Sequence, residues 1–339
     1  MFCVVAVTNN LQIIFAICVL APFLVLSPEQ AVAFDIFALS CYLPTYFGQP
    51  ATTGHRRWDS FRFSFVMQDY IKWHKGRVFF TNDLRQDIKY VFAFAPHGVM
   101  PTTAMWLLYH PVWRMHMRSN DATLLGSSVF HYVPFLRDLA MWLGSREITP
   151  VTFSHTLQEG KSVIMVPGGL SEMKFSKSSD NHIKILTRHK GFIRMAMKEG
   201  TPLVPVYSFG ETRYLDTINV PVITPFFFNT IKSPFPYFRG LLGFLQIPRP
   251  TSITVVVGKP IHIQKNAAPT DAEVDSLHRQ FYLAVKKLHT DYKEKAGYSQ
   301  ETLELVGMEG SDAAMKSEAA LPSIFSVSQD LSASPAEGE

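Results

Sequence analysis

The stretch VFAFAPHGVMP, Val91 to Pro101, joins five apolar residues to a Pro-His-Gly turn. Val91 to Ala95 show no polar alternation, so they predict a short strand buried on both faces. Pro96 cannot continue the ladder, and Gly98 permits a sharp exit. His97 therefore stands at the tip of a strand, where ligand sites of α/β sheets tend to form. A single His in a turn also fits a residue that only satisfies its own loop. The rest of the chain has to separate the two.

Outward from this strand, helices and strands alternate. FRFSFVMQDYIKWH (Phe61 to His74) reads as a helix mixing aromatics and bases, suited to a membrane surface. After His97, TTAMWLLYH predicts a helix, ATLLGSSVF a strand-like run from Thr123, and PFLRDLAMWLGS a helix closed by Gly144. TFSHTLQEGK suggests another helix, leading to a clear strand from Ser162 to Val166. That strand also ends in a glycine turn, PGGLSEMK. Lys190 to Glu199 form a helix stopped by Gly200, and Leu203 to Ser208 and Ser252 to Val257 are further strands. The last helix spans roughly Asp271 to Lys295. Such alternation argues for a parallel sheet wrapped by helices on both sides.

The ends differ from this body. No charged residue occurs from Met1 to Ser27, and LQIIFAICVLAPFLVL (Leu11 to Leu26) is nearly all apolar. SPEQ (Ser27 to Gln30) reads as a turn before a second apolar run, Ala31 to Phe47, flawed by Asp35 and Pro44. His55, Arg56 and Arg57 follow, which places the body on the cytosolic side of a membrane hairpin formed by residues 1–50. A basic start typical of a secretory leader is absent. The small-x-small pattern of AVAF leaves a cleaved targeting segment as the alternative. Residues 308–339, rich in Ser, Ala, Glu, Pro and Gly, cannot bury enough surface to order themselves. Between lies the domain 51–307, interrupted at 220–247 by a Phe- and Pro-rich lobe expected either as a buried insert or as a lipid-contacting surface.

Composition narrows the chemistry. The chain has 339 residues, 47% of them hydrophobic, with 27 Phe and a net charge of +4. That charge is too mild for a nucleic-acid binder but suits anionic phosphates or a membrane face. Its three Cys all precede residue 50, so the body can form neither a disulfide nor a cysteine zinc site. Gly-x-Ser-x-Gly is absent, as are His-Glu-x-x-His, a phosphate loop and the dinucleotide glycine pattern. No metal and no cofactor are expected. What remains is His97, the Gly168–Gly169 turn with Glu172, and a cationic stripe. Lys190, Arg194 and Lys198 recur every four residues and share a helix face, with Arg188 just before it. Alone, such a stripe is equally a solvated surface; beside a strand end it suits a ligand carrying phosphates.

FAFAPHG, PFLRDLAMWLG, VPGGLSEM, RHKGFIRMAMKEGTPLVPVYSFGE and TVVVGKPI, in this order over roughly Tyr90 to Pro260, resemble the type 2 diacylglycerol acyltransferase family. That family includes monoacylglycerol and wax-alcohol acyltransferases. The resemblance implies an α/β, glycerolphosphate-acyltransferase-like mixed sheet flanked by helices, with the N-terminal hairpin in the endoplasmic-reticulum membrane and the catalytic domain cytosolic. It implies transfer of an acyl group from acyl-CoA, a substrate rather than a cofactor, to a neutral lipid alcohol, with diacylglycerol foremost. The partners are then acyl-CoA, that alcohol and the bilayer; homo-oligomerisation stays open.

By the same resemblance His97 matches the family's catalytic His and acts as general base. Gly98 is expected to supply the turn, and the backbone N–H groups of Gly168 and Gly169 are candidate oxyanion donors. From the residues themselves, Glu172 is expected to orient the imidazole, to bind the acceptor hydroxyl, or equally to be only a helix-start carboxylate, and Arg188, Lys190, Arg194 and Lys198 are expected to hold CoA phosphates. Ala95 departs from the family, whose first block usually carries His or Glu there. That departure motivates the alternative of a membrane lipid-binding protein without catalysis. Related glycerolphosphate enzymes carry Asp five residues after the His and an Arg in the second turn. Here Thr102 takes the first place and PGGLSEMK has no Arg, although Lys174 stands near, so a neutral acceptor is expected.

Overall fold

Every residue of the strand Val91–Ala95 is buried in the computed structural model, which describes residues 11–118, 121–218, 238–243 and 247–308. The strand lies in the middle of a seven-stranded sheet. In chain order the strands of the described residues are β1 (Arg77–Phe80), β2 (Val91–Ala95), β3 (Ala122–Gly126), β4 (Arg146–Glu147), β5 (Ser162–Met165), β6 (His182–Leu186), β7 (Leu203–Phe209), β8 (Asp216–Thr217), β9 (Phe238–Arg239), β10 (Thr254–Val257) and β11 (Thr302–Val306). The sheet order is β1-β10-β7-β2-β5-β3-β4. β7, β2, β5, β3 and β4 run parallel, whereas β10 opposes β7 and β1 follows β10. The sheet is thus mixed, with its parallel half around His97. β6 and β11 form a separate parallel pair, and β8 and β9 a short antiparallel one.

Period-two alternation along the strands separates two apolar layers. Phe92 and Phe94 face one side with Trp106, Tyr109, Leu124, Leu139 and Val206. Val91, Ala93 and Ala95 face the other, against Phe192, Phe281, Val285 and Leu288. Two helices close this second side. Gly191–Glu199 buries Phe192, Ile193, Ala196 and Met197, an i, i+1, i+4, i+5 set that forms one stripe, and Gly200 ends it at φ +64. Asp271–Ala296 starts with a capping box between Thr270 and Glu273 and stops at Gly297, φ +86.

The expected helix from Phe61 to His74 is broken in two, Asp59–Arg62 and Phe65–Trp73, because the backbone at Phe63 leaves the helical range at φ −101 and ψ 12. The expected hairpin consists of Leu11–Leu20, Pro22–Val25 and Pro28–Tyr42. Ser27, anticipated in a turn, caps the last of these with Gln30 in a capping box. No helix of the described residues is long and apolar enough to cross a membrane. At 1.5 Å per residue, the 15-residue helix reaches about 22 Å, short of a core about 30 Å thick. The segment from Leu11 to Arg57 also contacts the body. Tyr42 donates to Asp138, Arg56 pairs with Asp138 at 2.7 Å, and Phe15 meets the Phe135 ring edge-on at 5.4 Å. The helices expose Leu24, Val25 and Phe37, and the chain just after them exposes Phe47. Most of the expected lobe at 220–247, and the expected tail beyond residue 308, lie outside the described residues.

Candidate active site

β2 delivers its chain directly to His97. The backbone turns at Gly98 with φ +66, and a Cβ there would lie 2.7 Å from the Glu211 carbonyl oxygen. Only glycine allows both the left-handed conformation and that approach. His97 is buried, and its Nδ1 lies 3.0 Å from the Gly98 carbonyl. A carbonyl can only accept, so Nδ1 carries the proton in the neutral ring and Nε2 keeps its lone pair. No hydrogen bond to Nε2 occurs among the described residues. Burial lowers the imidazole pKa to about 4, against the smaller opposing effect of the Gly98 carbonyl. The ring is neutral near pH 7, with a nitrogen able to accept a proton.

Two buried carboxyl groups hold the loop that carries this imidazole. Glu172 does not reach the ring; its Oε1 accepts from the His97 backbone N–H at 3.0 Å and its Oε2 from Leu186 N–H at 3.4 Å. The anticipated contact of Glu172 with the imidazole is therefore replaced by a backbone contact, because the short helix Gly169–Glu172 aims the side chain back under the strand ends. Burial pushes its pKa up to about 7. Glu211 grips the far end of the loop. It accepts from Thr103 N–H at 3.3 Å, from the Thr103 hydroxyl, and from Ser208 Oγ at 2.9 Å. Tyr214 bridges the middle, accepting from Met100 N–H at 3.3 Å and lying 3.5 Å from Glu211. Burial raises the Glu211 pKa to about 8. Sequence reasoning missed Glu211. Its only local signal was a carboxylate directly after the buried strand β7, at the Gly210 turn.

The first side of the sheet is hollow. A cavity of about 480 Å³ is lined by His97, Gly169, Thr102 and an otherwise largely apolar wall that includes Met105, Trp106 and Leu139. Its size is that of a small-molecule site. His131 also lines it, but both ring nitrogens are engaged, Nδ1 with the Ser127 carbonyl at 3.0 Å and Nε2 with Ser145 Oγ at 3.2 Å. His97 is the ring with a spare nitrogen. Of the three turn glycines, Gly98 and Gly168 pack directly on Glu211 and Glu172, where a Cβ at Gly168 would overlap the carboxylate, and Gly169 borders the cavity. Ala95 packs in the opposite layer and pairs with Tyr207, so the side chain at position 95 does not line the cavity.

The cationic stripe is divided. Arg188, exposed, donates to Ser171 inside the Gly-Gly-Leu-Ser-Glu turn. Lys190 is the cap residue rather than part of the helix and pairs with Asp275 at 2.5 Å. Arg194 pairs with Asp271 at 2.6 Å and donates to the Pro269 carbonyl. Lys198 is exposed on the same helix. Spacing brings these cations together in sequence, but only Arg188 touches the turn beside His97.

A neutral imidazole with a free nitrogen at an apolar cavity can take a proton from a hydroxyl on a ligand that partitions out of water. Comparison with known proteins gives the family. Residues 30–306 match the family described as diacylglycerol acyltransferase. The chain is 30% identical to acyl-CoA wax alcohol acyltransferase 2 of Mus musculus over 75% of its length and 80% of the relative's. It is 30% identical to diacylglycerol O-acyltransferase 1 of Eremothecium gossypii over 64% of its length and 50% of that protein's. To 2-acylglycerol O-acyltransferase 1 of Mus musculus it is 28% identical over 74% and 79%. The solved structure of PlsC, a lysophosphatidate acyltransferase of Thermotoga maritima, aligns with a TM-score of 0.39 and 15% identity over 68% of this chain and 81% of that one, a likeness too slight to argue from. The protein is an acyl-CoA-dependent O-acyltransferase. It belongs to the diacylglycerol acyltransferase family.

Proposed function

We propose that the protein transfers a fatty acyl group from acyl-CoA to the free hydroxyl of diacylglycerol, forming triacylglycerol. The observation that carries this reading is the unbonded Nε2 of the neutral, buried His97 beside an apolar cavity. The acceptor hydroxyl gives its proton to Nε2 as its oxygen attacks the thioester carbonyl. The resulting oxyanion takes backbone N–H donors from the Gly169 turn. Collapse breaks the carbon–sulfur bond, and the imidazolium returns the proton to the CoA thiolate. Base catalysis of this kind is worth about 10²–10⁴-fold. The Nδ1–H bond to Gly98 keeps the ring oriented and stabilises the transient positive charge. Arg188, beside Ser171, holds the CoA phosphates, with Lys190, Arg194 and Lys198 further along the approach.

Family members named for diacylglycerol, monoacylglycerol and wax alcohol support a neutral alcohol as the acceptor class. The cavity wall, apolar apart from a few side chains, offers no cation cluster for a phosphate on the acceptor. The exposed Leu, Val and Phe of the N-terminal helices anchor the protein to the cytosolic face of the endoplasmic-reticulum membrane, from which diacylglycerol enters sideways.

The test is labelled acyl-CoA offered to purified enzyme with diacylglycerol, monoacylglycerol, a fatty alcohol and glycerol 3-phosphate in competition. Label is expected chiefly in triacylglycerol; label chiefly in wax ester or lysophosphatidate would overturn the acceptor. His97→Ala is expected to lower kcat by about 10²–10⁴-fold at an unchanged thermal midpoint. Wild-type turnover in that variant would remove His97 from the chemistry.

A further inference from the structure

A second hollow lies outside the His97 site. A groove of about 790 Å³ is lined by four arginines, Arg57, Arg62, Arg114 and Arg118, and by two acids, Asp59 and Asp121. The acids are already committed. Arg57 pairs with Asp59 at 2.9 Å and with Asp121 at 2.5 Å, and Arg62 pairs with Asp59 at 2.8 Å. Arg114 sits over the Phe63 ring at 4.8 Å, while Arg62 approaches the same ring at 5.6 Å. Neither Arg114 nor Arg118, both exposed, has an ion pair among the described residues. The carbonyl end of the six-residue helix Pro111–His116 favours one cation beside it, not four. Four guanidiniums against two carboxylates leave two positive charges, and a phosphate monoester carries about −1.5 to −2 at pH 7. Arginine's planar fork suits its oxygens.

The rim of the groove shows which molecule brings that phosphate. Phe63 and Met115, which line it, and Trp58 and Phe65, within two residues of lining positions, are each about half exposed or more. Trp58 donates to the Trp142 carbonyl at 3.0 Å, at the end of the helix Leu136–Trp142 on which Tyr42 and Arg56 dock through Asp138. The groove therefore adjoins the seat of the N-terminal helices, which expose Leu24, Val25 and Phe37. A water-soluble phosphate would have no use for such a rim.

We propose that this groove binds the phosphate-monoester headgroup of an anionic lipid, with its acyl chains lying along the apolar rim. It adjoins the cavity at His97 but differs from it, since of the two linings only Leu108 is common to both. The bound lipid is therefore a docking ligand and not an acceptor, and the proposal does not depend on the role of His97. Arg62 also reaches the Tyr109 hydroxyl at 3.4 Å, and Tyr109 lines the catalytic cavity, so occupancy of the groove has a direct mechanical path to that wall.

The experiment is flotation of the full-length protein with vesicles of phosphatidylcholine alone, or containing a minor fraction of phosphatidic acid or of phosphatidylserine. The groove predicts the tightest binding to phosphatidic acid. Arg114→Gln/Arg118→Gln is expected to weaken that binding by about ten- to thirtyfold while leaving phosphatidylcholine binding and the thermal midpoint unchanged. Equal binding to phosphatidic acid and phosphatidylserine would reduce the effect to bulk charge and overturn the site. Phosphatidic acid binding that survives in the double variant would do the same. Displacement by inorganic phosphate at matched concentration would reassign the groove to soluble phosphates and overturn the lipid.

Discussion

The two sides of the central sheet use the same strands for opposite purposes. On one side Val91, Ala93 and Ala95 meet Phe192, Phe281, Tyr282 and Val285 in a filled layer under the helices Gly191–Glu199 and Asp271–Ala296. On the other, Phe92 and Phe94 share their layer with Trp106, Leu124 and Leu139, yet a cavity of about 480 Å³ remains. Both sides are apolar, so hydrophobicity does not distinguish them. The difference lies in what covers them. The 26-residue helix Asp271–Ala296 runs across the solid side, whereas the hollow side is roofed by pieces of at most nine residues, Phe65–Trp73, Thr102–Trp106, Leu107–Tyr109, Val129–Tyr132 and Leu136–Trp142. Short elements do not interdigitate along their length, and the space they leave is of the size of a small-molecule site. The cationic stripe belongs to the solid side, which explains why two of its members are spent on Asp271 and Asp275.

The contrast can be broken most strongly from the solid side. Phe281→Ala removes a fully buried ring that packs edge-on against Phe192 at 5.3 Å, and a loss of about 3–5 kcal/mol is expected in thermal or denaturant unfolding. The hollow side should respond in activity instead. Ala140→Phe, at a residue lining the cavity, is expected to cost long-chain acyl transfer on the order of tenfold, about 1.4 kcal/mol, while the midpoint stays near wild type. A midpoint that falls with the activity would mean that this side is as tightly packed as the other.

The floor between the two can be tested by pH. Glu211 has a folded pKa near 8, above its unfolded value of 4.5, so the folded state holds the proton more tightly. Wild-type stability then declines as pH rises from about 4.5 to 8 and levels off beyond, since the native state binds more protons over that window. Glu211→Gln keeps a neutral side chain of the same shape. It should remove the part of that decline due to Glu211, leaving the part due to Glu172, and be more stable than wild type at pH 8 by on the order of 1 kcal/mol. An unaltered pH slope in the variant would show that Glu211 is ionised throughout.

The smallest effects belong to the stripe. Arg194→Ala is expected to change stability by about 0.2–1 kcal/mol, because its partner Asp271 is 90% exposed and the pair is screened by water. Its KM for acyl-CoA should stay within about twofold, while Arg188→Ala raises KM on the order of fivefold by losing a charge-assisted contact. The reverse ranking would return phosphate binding to the helix face.

Much of this molecule was legible along the chain. Apolar runs closed by Gly or Pro marked β2, β5, β7 and β10, and capping residues marked the helix Asp271–Ala296, because backbone stiffness, capping and local periodicity act within a few residues. The Pro-His-Gly turn put His97 at a strand tip for the same reason. Strands such as β1, β6 and β11 escaped, being short and edge-bound or outside the main sheet, where the apolar signal is diluted. The reversal of β10 also escaped, since strand direction depends on partners far away in sequence. Tertiary structure alone decided that Glu172 holds the His97 backbone rather than its ring, that Glu211 clamps the other end of the loop 108 positions away from Thr103, and that Asp271 and Asp275 take Arg194 and Lys190. Charge spacing tells which residues can share a face, but their effective charge depends on what packs against that face. A carboxyl group likewise becomes a clamp or a catalyst according to burial and the donors it meets, and those are fixed only when distant strands come together.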